Sequence, residues 1–476
     1  MAVSDELTLV IDIGKSHAKL LMVDAQGAVL ERFGRANASV PSPLGYPALD
    51  VQGLEDWMAQ TLRGCVHTAR CSRVITSTHG AALVALGGQG LAWDPVDYEF
   101  DGLALHPLLA KAFDAAADGF ASTLSPDLPA GLNAARQLFQ VQHLHPEVWR
   151  RTHCLLPYAQ YWAWRLSGVA ASEVSSLGCH THLWRPQEGA FSALAQDQGW
   201  AALFAPLRSA WEVLGTVTPE IATAWGLPAH CQVHVGVHDS NACLARYLDA
   251  SEVDASALTV VSSGTWTVLM APGAPTASLQ AERDMLANVD VLGRATPTAR
   301  FMGGREFAHL LDGASPDAGT LDDVQALVDS ATLAMPSFAE HGGPFMGRQG
   351  MILREGKPLP VALPHGQRAA LAALYCAQTT AWLVERLWDG VALPRTVVLE
   401  GPLAQNALYL ALLQALLPQA RCLASHDAME GTARGTWLLA RWGDPAAAAT
   451  TALAPVEAAP VRGLPAYHAQ WIASAA

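Results

Sequence analysis

The sequence predicts an α/β protein built from two domains. Its 476 residues suffice for two or three domains of roughly 150 residues each. A composition that is 51% hydrophobic and only 15% charged supplies large cores and excludes a disordered chain. One layout, a strand followed by a small polar turn and a second strand, opens each half of the chain. That recurrence points to two similar α/β domains facing across a cleft, divided as residues 1–248 and 249–476.

The first copy begins with the β-rich run Thr8–Ile11. Leu20–Val23 is its partner, and Asp24–Gly27 reads as the next hairpin turn. A helix is expected around Trp57 to Cys65. Arg73–Thr76 reads as a buried strand with Ser77-Thr78-His79-Gly80 at its C-terminal end. From Asn133 to about Leu166 the pattern is largely helical. A strand over Val233–Val237 leads through Gly236-Val237-His238-Asp239 into a helix that carries Ala242, Leu244, Ala245 and Leu248. The polar, acidic stretch Leu248–Ser256 reads as the domain joint. Beyond it, Leu258–Val261, the turn Ser262-Ser263-Gly264-Thr265 and Trp266–Met270 repeat the opening. Thr396–Leu399, the turn Glu400-Gly401-Pro402 and a helix over Gln405–Leu417 follow. The Ala-rich stretch Ala447–Ala459 is expected to be a weakly structured surface segment.

A formal charge of −14 disfavours a nucleic-acid partner held by phosphate contacts. No run of 18 apolar residues is present, so no membrane span is expected. The N-terminus lacks the basic start and apolar core of a signal peptide, and the eight scattered cysteines contain no Cys-x-x-Cys pair. Both features suit a cytoplasmic protein with reduced thiols. His180, His182, His230, His234 and His238 match no common zinc spacing and read as structural. There is no Walker A sequence and no G-x-S-x-G elbow.

Four segments carry candidate chemistry. In Asp12-Ile13-Gly14-Lys15-Ser16 a tight turn offers backbone N–H groups to a phosphate, and Asp12 is a hard oxygen donor suited to Mg²⁺. Ser262–Thr265 is a second turn of the same kind. Asp239 stands at a strand end, where a carboxylate can take the proton of a hydroxyl that attacks a phosphoryl group. Glu400–Asn406 is a Gly-Pro turn entering an apolar helix, the form of a nucleotide-edge site. Taken singly, each is more readily an ordinary turn, and Asp239 more readily a helix cap.

In this order and at these separations, the segments resemble the FGGY carbohydrate kinases of the actin/hexokinase-like ATPase superfamily. Asp12–Lys19 looks like the first phosphate hairpin and Val261–Trp266 like the second. Thr78–Ala81 is similar to the sugar-cleft segment, Gly236–Asp239 to the base segment, and Leu399–Asn406 to the adenosine segment. Glu430–Gly435 resembles the helix start that closes the family's second domain. The Ser-Ser-Gly-Thr-Trp hairpin, with Asn288 and Met302-Gly303-Gly304, looks most like the rhamnulose and fuculose kinase branch, which phosphorylates the terminal hydroxyl of a 6-deoxy-ketohexose.

The resemblance implies two ribonuclease H-like domains, an N-terminal one for sugar and a C-terminal one for nucleotide. It implies Asp239 as the catalytic base and Mg²⁺ at Asp12 and Asp239. ATP is expected on Gly14, Lys15, Ser16, Ser263, Gly264, Thr265, Gly303, Gly401, Gln405 and Asn406. The sugar is expected against His79, Gly80, Asp97, Tyr98, His238 and Asp239. Lys15 stands where the family usually has a small hydroxyl residue, and either adds charge to the ATP phosphates or points away. Pro402 replaces a glycine of the adenosine segment. Asp97-Tyr98-Glu99 falls where many relatives carry Trp-x-Asp-x-Arg. The expected partners are a small sugar and ATP, with no nucleic acid or membrane, and a homodimer is left open. A kinase of another ketose or polyol such as xylulose, a sugar- and nucleotide-binding sensor, and an ATPase chaperone are the competing readings.

Overall fold

The computed structural model describes residues 6–88, 90–248, 253–340, 342–359, 361–389, 391, 395–425, 431–448 and 453–475. Residues 249–252 of the expected joint, Glu430 of the expected helix start, and part of the Ala-rich stretch lie outside the described residues. The chain forms two compact units. The first takes residues 1–250 and also 287–295 and 432–450; the second takes 251–286, 296–431 and 451–476. The single cut expected at 248/249 therefore misses two segments that belong to the first unit.

The first unit is organised on a seven-stranded sheet. Its strands are β1 (Leu7–Ile13), β2 (His17–Val23), β3 (Val29–Ala36), β4 (Cys71–Thr78), β5 (Val213–Thr216), β6 (Gln232–His234) and β7 (Val237–His238). They run in the order β5-β6-β4-β1-β2-β3, with β7 paired to the end of β4. β1 is antiparallel to β2 and parallel to β4, and β6 and β7 are also parallel to β4. Every residue of β1 is buried, as expected for a strand covered on both faces. β3 alternates between half-buried and exposed positions, the pattern of an edge strand. Helix α1 (Val51–Gly64) is capped by Asp50, whose carboxylate accepts from Gly53 N at 2.9 Å. Its buried residues Leu54, Met58 and Leu62 share a core with Leu9, Ile11, Trp162 and Trp225.

Two sequence expectations change here. The helical stretch Asn133–Leu166 is interrupted by a strand, Cys154–Pro157, which pairs with Leu83–Gly87 in a small separate sheet. Helix α2 (Tyr158–Ser167) follows it and ends at Gly168, with φ 75°. The expected strand Val233–Val237 is two strands broken at Gly236. Gly236 has φ 87°, and a Cβ there would lie 2.5 Å from the Thr76 carbonyl oxygen. Only glycine makes that turn against β4. The break restarts the chain as β7, which feeds helix α3 (Asp239–Leu248).

The other face of the sheet packs on α3 and on the late helix Gly431–Leu439. Val10, Leu21, Ile75 and Val237 meet Ala242, Ala245, Trp437 and Leu439 in one buried cluster. Gly435 brings the late helix against the Ala242 carbonyl of α3, and Arg434 donates to the carbonyl of Gly27.

The second unit repeats the plan. Strands β8 (Leu258–Ser263), β9 (Thr267–Met270), β10 (Ala295–Phe301), β11 (Arg395–Glu400), β12 (Ala420–Ser425) and β13 (Leu453–Pro455) are neighbours in the order β10-β9-β8-β11-β12-β13. β8 is antiparallel to β9 and parallel to β11, as β1 is to β2 and β4. Helix α4 (Gly303–Leu311) follows β10, and α5 (His365–Leu387) is buried at every residue from Ala369 to Val384. Helix α6 (Ala407–Leu416) is capped by Asn406. Leu453–Pro455, in the stretch expected to be weakly structured, forms the sheet edge against β12.

Candidate active site

In the first unit, register carries the motif residues to one end of the sheet. Asp12 of β1 stands beside Ser77 of β4 and Lys19 of β2, and Val237 and His238 of β7 stand beside Ser77 and Thr78. Asp12, His79, His238 and Asp239 therefore gather at the C-terminal ends of parallel strands, where open α/β sheets place their ligands.

Asp12 accepts from Ser77 Oγ at 3.1 Å, and Lys19 Nζ lies 3.8 Å from its other oxygen. Burial pushes the Asp12 carboxyl above its ordinary pKa; Lys19 opposes this, and the nearby Asp239 charge adds to it. Asp239 opens α3, where a carboxylate is favoured by the unpaired N–H groups of the first turn. Its Oδ1 accepts from Ser240 N at 2.6 Å and Ser240 Oγ at 3.3 Å. Its side chain is still 32% exposed, so helix-starting and ligand-facing roles coexist. Burial raises its pKa, against the pull of the His79 imidazole and the Ser240 donors.

His79 is held from both sides. Its backbone N–H donates to the Ile13 carbonyl at 2.9 Å, and its Nδ1 lies 2.9 Å from the Gly80 carbonyl. A carbonyl only accepts, so Nδ1 carries the hydrogen and Nε2 is left as an acceptor. Nε2 is buried with no hydrogen-bond partner among the described residues. The ring centroid lies 5.3 Å from that of Tyr98 and 5.5 Å from that of Tyr158. His238 is buried, and its pKa is pushed down to about 4 by that burial. Its Nε2 approaches Asp239 Oδ1 to 3.2 Å.

Gly80 lets this group close up. A Cβ there would lie 2.8 Å from Cys179 Sγ and 2.9 Å from His238 Nε2. Gly80→Ala is expected to push His238 aside and lower kcat about 10-fold or more, with an overpacking cost of about 1–3 kcal/mol in stability. Steady-state kinetics beside a melting curve separates the two effects; an unchanged kcat would show that His238 moves without consequence.

Lys15 and Asp97 are brought together. The Lys15 ammonium pairs with Asp97 and lies 3.4 Å from Glu99 and 5.3 Å from the Tyr98 ring centroid. Asp97 also accepts from Ser39 Oγ and, at 2.9 Å, from Glu99 N. Burial raises the Asp97 pKa, but the Lys15 and Ser39 donors outweigh it and hold the carboxyl below its ordinary value. Of the two directions open to Lys15, the side chain takes the one toward Asp97. In its turn, Gly14 N donates to His17 O at 2.9 Å and Ser16 is exposed.

The second hairpin lies in the second unit. Gly264 N donates to Trp266 O at 2.8 Å, and Gly264 and Thr265 are exposed. Ser263 is turned inward: its Oγ donates to Glu400 O at 2.6 Å and accepts from Leu403 N at 3.0 Å. Gly303, Gly304 and Gly401 pack against this hairpin, facing Thr267 Oγ1, Gly264 O and Ser263 O in turn. Gln405 closes a short 3-10 turn, Pro402–Gln405. Asn406 is committed to structure, since its Oδ1 caps Tyr409 N at 2.8 Å and its Nδ2 donates to Pro316 O at 3.1 Å.

Sequence reasoning did not single out Ser77, Tyr158, Cys179 and Asn241. Ser77 sits one residue before a motif it did recognise, and Asn241 lies three residues after His238 at the start of α3; Tyr158 and Cys179 are brought in by tertiary packing and have no local signature. Three of the five histidines read as structural bond backbone carbonyls: His180 to Leu132, His182 to Ser125 and His234 to Trp211.

The sequence profile of the carbohydrate kinase FGGY C-terminal domain matches residues 255–449. The crystal structure of a carbohydrate kinase from Novosphingobium aromaticivorans is 33% identical and superposes with a TM-score of 0.87, covering 99% of this chain and 98% of that one. This chain belongs to the FGGY carbohydrate kinases. An L-fuculokinase of Salmonella typhi is 25% identical over 283 residues, a match that spans 56% of each chain. This chain thus aligns with little more than half the length of that curated relative. A xylulose kinase from Rhodospirillum rubrum superposes with a TM-score of 0.74 at 18% identity, covering 98% of each chain, which shows a shared fold. Among the described residues no helix is long and apolar enough to cross a membrane.

The donor set can be tested against Mg²⁺. Among the described residues no group of three or more His, Cys, Asp or Glu side chains is arranged to hold a metal ion. Mg²⁺ does not need one, because it keeps several waters and uses one or two carboxylates with substrate phosphates. Asp12 and Asp239, near enough that the Asp239 charge raises the Asp12 carboxyl, fit that requirement.

Proposed function

We propose that this chain transfers the γ-phosphoryl group of ATP to a hydroxyl of a small sugar, with a ketose of the L-rhamnulose or L-fuculose type as substrate. The observation that carries the reading is the pairing of a raised-pKa carboxylate, Asp239, with a buried acceptor left without a partner among the described residues, His79 Nε2, at the ends of β4 and β7. A sugar hydroxyl supplies what both lack: one proton to give and further hydroxyls to donate. In this reading Asp239 orients the hydroxyl and takes its proton as the new P–O bond forms. His79 Nε2 and Tyr98 fix the sugar, and the Lys15–Asp97 pair shapes the wall beside them. Two turns, at Lys15–Ser16 in the first unit and at Thr265 in the second, each carry backbone N–H groups of the kind that bind phosphate. Asp12 and Asp239 would hold Mg²⁺, which when bound neutralises phosphate charge.

The likeness to an L-fuculokinase supports the ketose, as does the Ser-Ser-Gly-Thr-Trp turn at Ser262–Trp266. A coupled ADP-release assay across L-fuculose, L-rhamnulose, D-xylulose and glycerol, with Mg²⁺ and ATP, tests the reading. Turnover highest with a 6-deoxy-ketose is expected. Turnover confined to xylulose or a polyol would move the substrate assignment, and tight sugar binding with no turnover on any of them would replace the enzyme by a sensor.

A further inference from the structure

The turn Ser263-Gly264-Thr265 has no large side chain of its own to hold it in place. Trp266 is the first residue after it that can, and it lies directly before β9. Val268 of β9 stands opposite Arg300 of β10. Trp266, two positions before Val268, falls on the same side by strand alternation. The Arg300 guanidinium carbon lies 4.8 Å from the centroid of the Trp266 ring, within reach of a cation–π contact. Asp284 holds that guanidinium in turn: Nε donates to Oδ2 and Nη2 to Oδ1, each at 3.0 Å. Asp284 Oδ2 also accepts from Gly343 N at 2.9 Å. The side chains of Arg300 and Asp284 are only 14% and 3% exposed, so the two-point fork is largely shielded from water. The edge of the ring rests on Gly342, where a Cβ would lie 2.4 Å from Cη2.

We propose that Arg300 is a positioning residue for nucleotide phosphate: clamped by Asp284, it holds the Trp266 ring and through it the Gly264–Thr265 turn. The inference rests on the reading of that turn as a phosphate site. A backbone N–H binds a phosphate oxygen only over a narrow range of directions, so a turn free to rock binds it less well. Gly264 N donates to the Trp266 carbonyl at 2.8 Å, so the placing of residue 266 passes directly into the turn. Behind the turn, Gly304 at the start of α4 faces Gly264 O, where a Cβ would lie 2.2 Å away. The turn thus rests on α4 at its back and is anchored by the ring at its side. A lysine at position 300 would keep the charge but neither the fork nor the flat face against the ring.

The test compares ADP with adenosine, which has the same base and ribose and no phosphate. Titration calorimetry on the full chain without Mg²⁺ measures ADP, and displacement of ADP measures adenosine. Arg300→Lys is expected to weaken ADP about 10-fold and to leave adenosine within about 2-fold. Trp266→Leu should give the same split with the Arg300–Asp284 pair still in place. The double variant should weaken ADP little more than either single one, because both changes break one contact. Three results overturn the proposal: unchanged ADP binding in Arg300→Lys, losses that multiply in the double variant, or adenosine weakened as much as ADP. The last would mean a general loosening of the second unit. Should Arg300→Lys fail to fold, Asp284→Asn, which can still accept from Gly343 N, decides by the same split. A wild-type chain that binds ADP no better than adenosine refutes the phosphate reading of the turn and the proposal with it. A wild-type preference for ADP that Arg300→Lys retains in full refutes the role of Arg300 alone.

Discussion

Asp239→Asn is expected to lower kcat by about 10²–10⁴-fold while ATP binding measured without Mg²⁺ is kept. The two side chains have nearly the same shape. The Asn carbonyl oxygen can still accept from Ser240 N, which now lies 2.6 Å from Oδ1. Asn also ranks with Asp at helix starts, so α3 keeps its first turn. What is lost is the capacity to take a proton, and with it the negative charge that raises the Asp12 carboxyl. Turnover by coupled ADP release, beside ATP titration calorimetry and a melting curve, isolates that loss. A variant that turns over at the wild-type rate would move the base to another residue.

The second large effect is expected on stability. Gly401 has φ 80° and ψ −170°, a region that glycine alone occupies without strain. A Cβ there would run into the backbone oxygen of Ser263, the residue that ties β8 to β11 through Glu400 O and Leu403 N. Neither side of that contact is a flexible chain end, so relief needs a backbone shift. Gly401→Ala should cost about 3 kcal/mol or more, combining backbone strain with overpacking. Denaturant unfolding read by intrinsic tryptophan fluorescence measures it, with exposed Pro402→Ala as the near-neutral control. An unchanged midpoint for Gly401→Ala would mean that the hairpin gives way without penalty.

Much of the site was legible because each motif lies at a strand end and parallel strands bring their ends together. Asp12, His79, His238 and Asp239 needed only the right strand neighbours to meet. Contacts between distant side chains left no such trace. Lys15 and Asp97 stand 82 positions apart, and nothing local in either says that they pair. Tyr158 and Cys179 reach the group by packing, one beside the His79 ring and the other against Gly80. In the fold, Gly236 was visible but its effect was not, because a broken strand and a continuous one share the same apolar run. Cys154–Pro157 was hidden for a related reason: a four-residue apolar segment fits a helix or a strand until Pro157 and its pairing partner are known. The recurrence of the opening hairpin was the most informative long-range signal, and it corresponds to the repeated order of strands in the two sheets.

The first unit is threaded through the chain, and this sets an order of events during synthesis. The cluster under β1 and β7 is completed by Trp437 and Leu439. A nascent chain that has just released residue 250 holds the whole base segment but not the helix that covers its underside. The ribosome must still make residues 251–431 before that helix emerges, about 10–40 s at ordinary elongation rates. Through that interval Val10, Ile75 and Val237 lack part of their cover. The apolar face beneath the candidate base is thus left partly uncovered in the newborn protein, and a chain truncated before residue 432 would leave it so permanently.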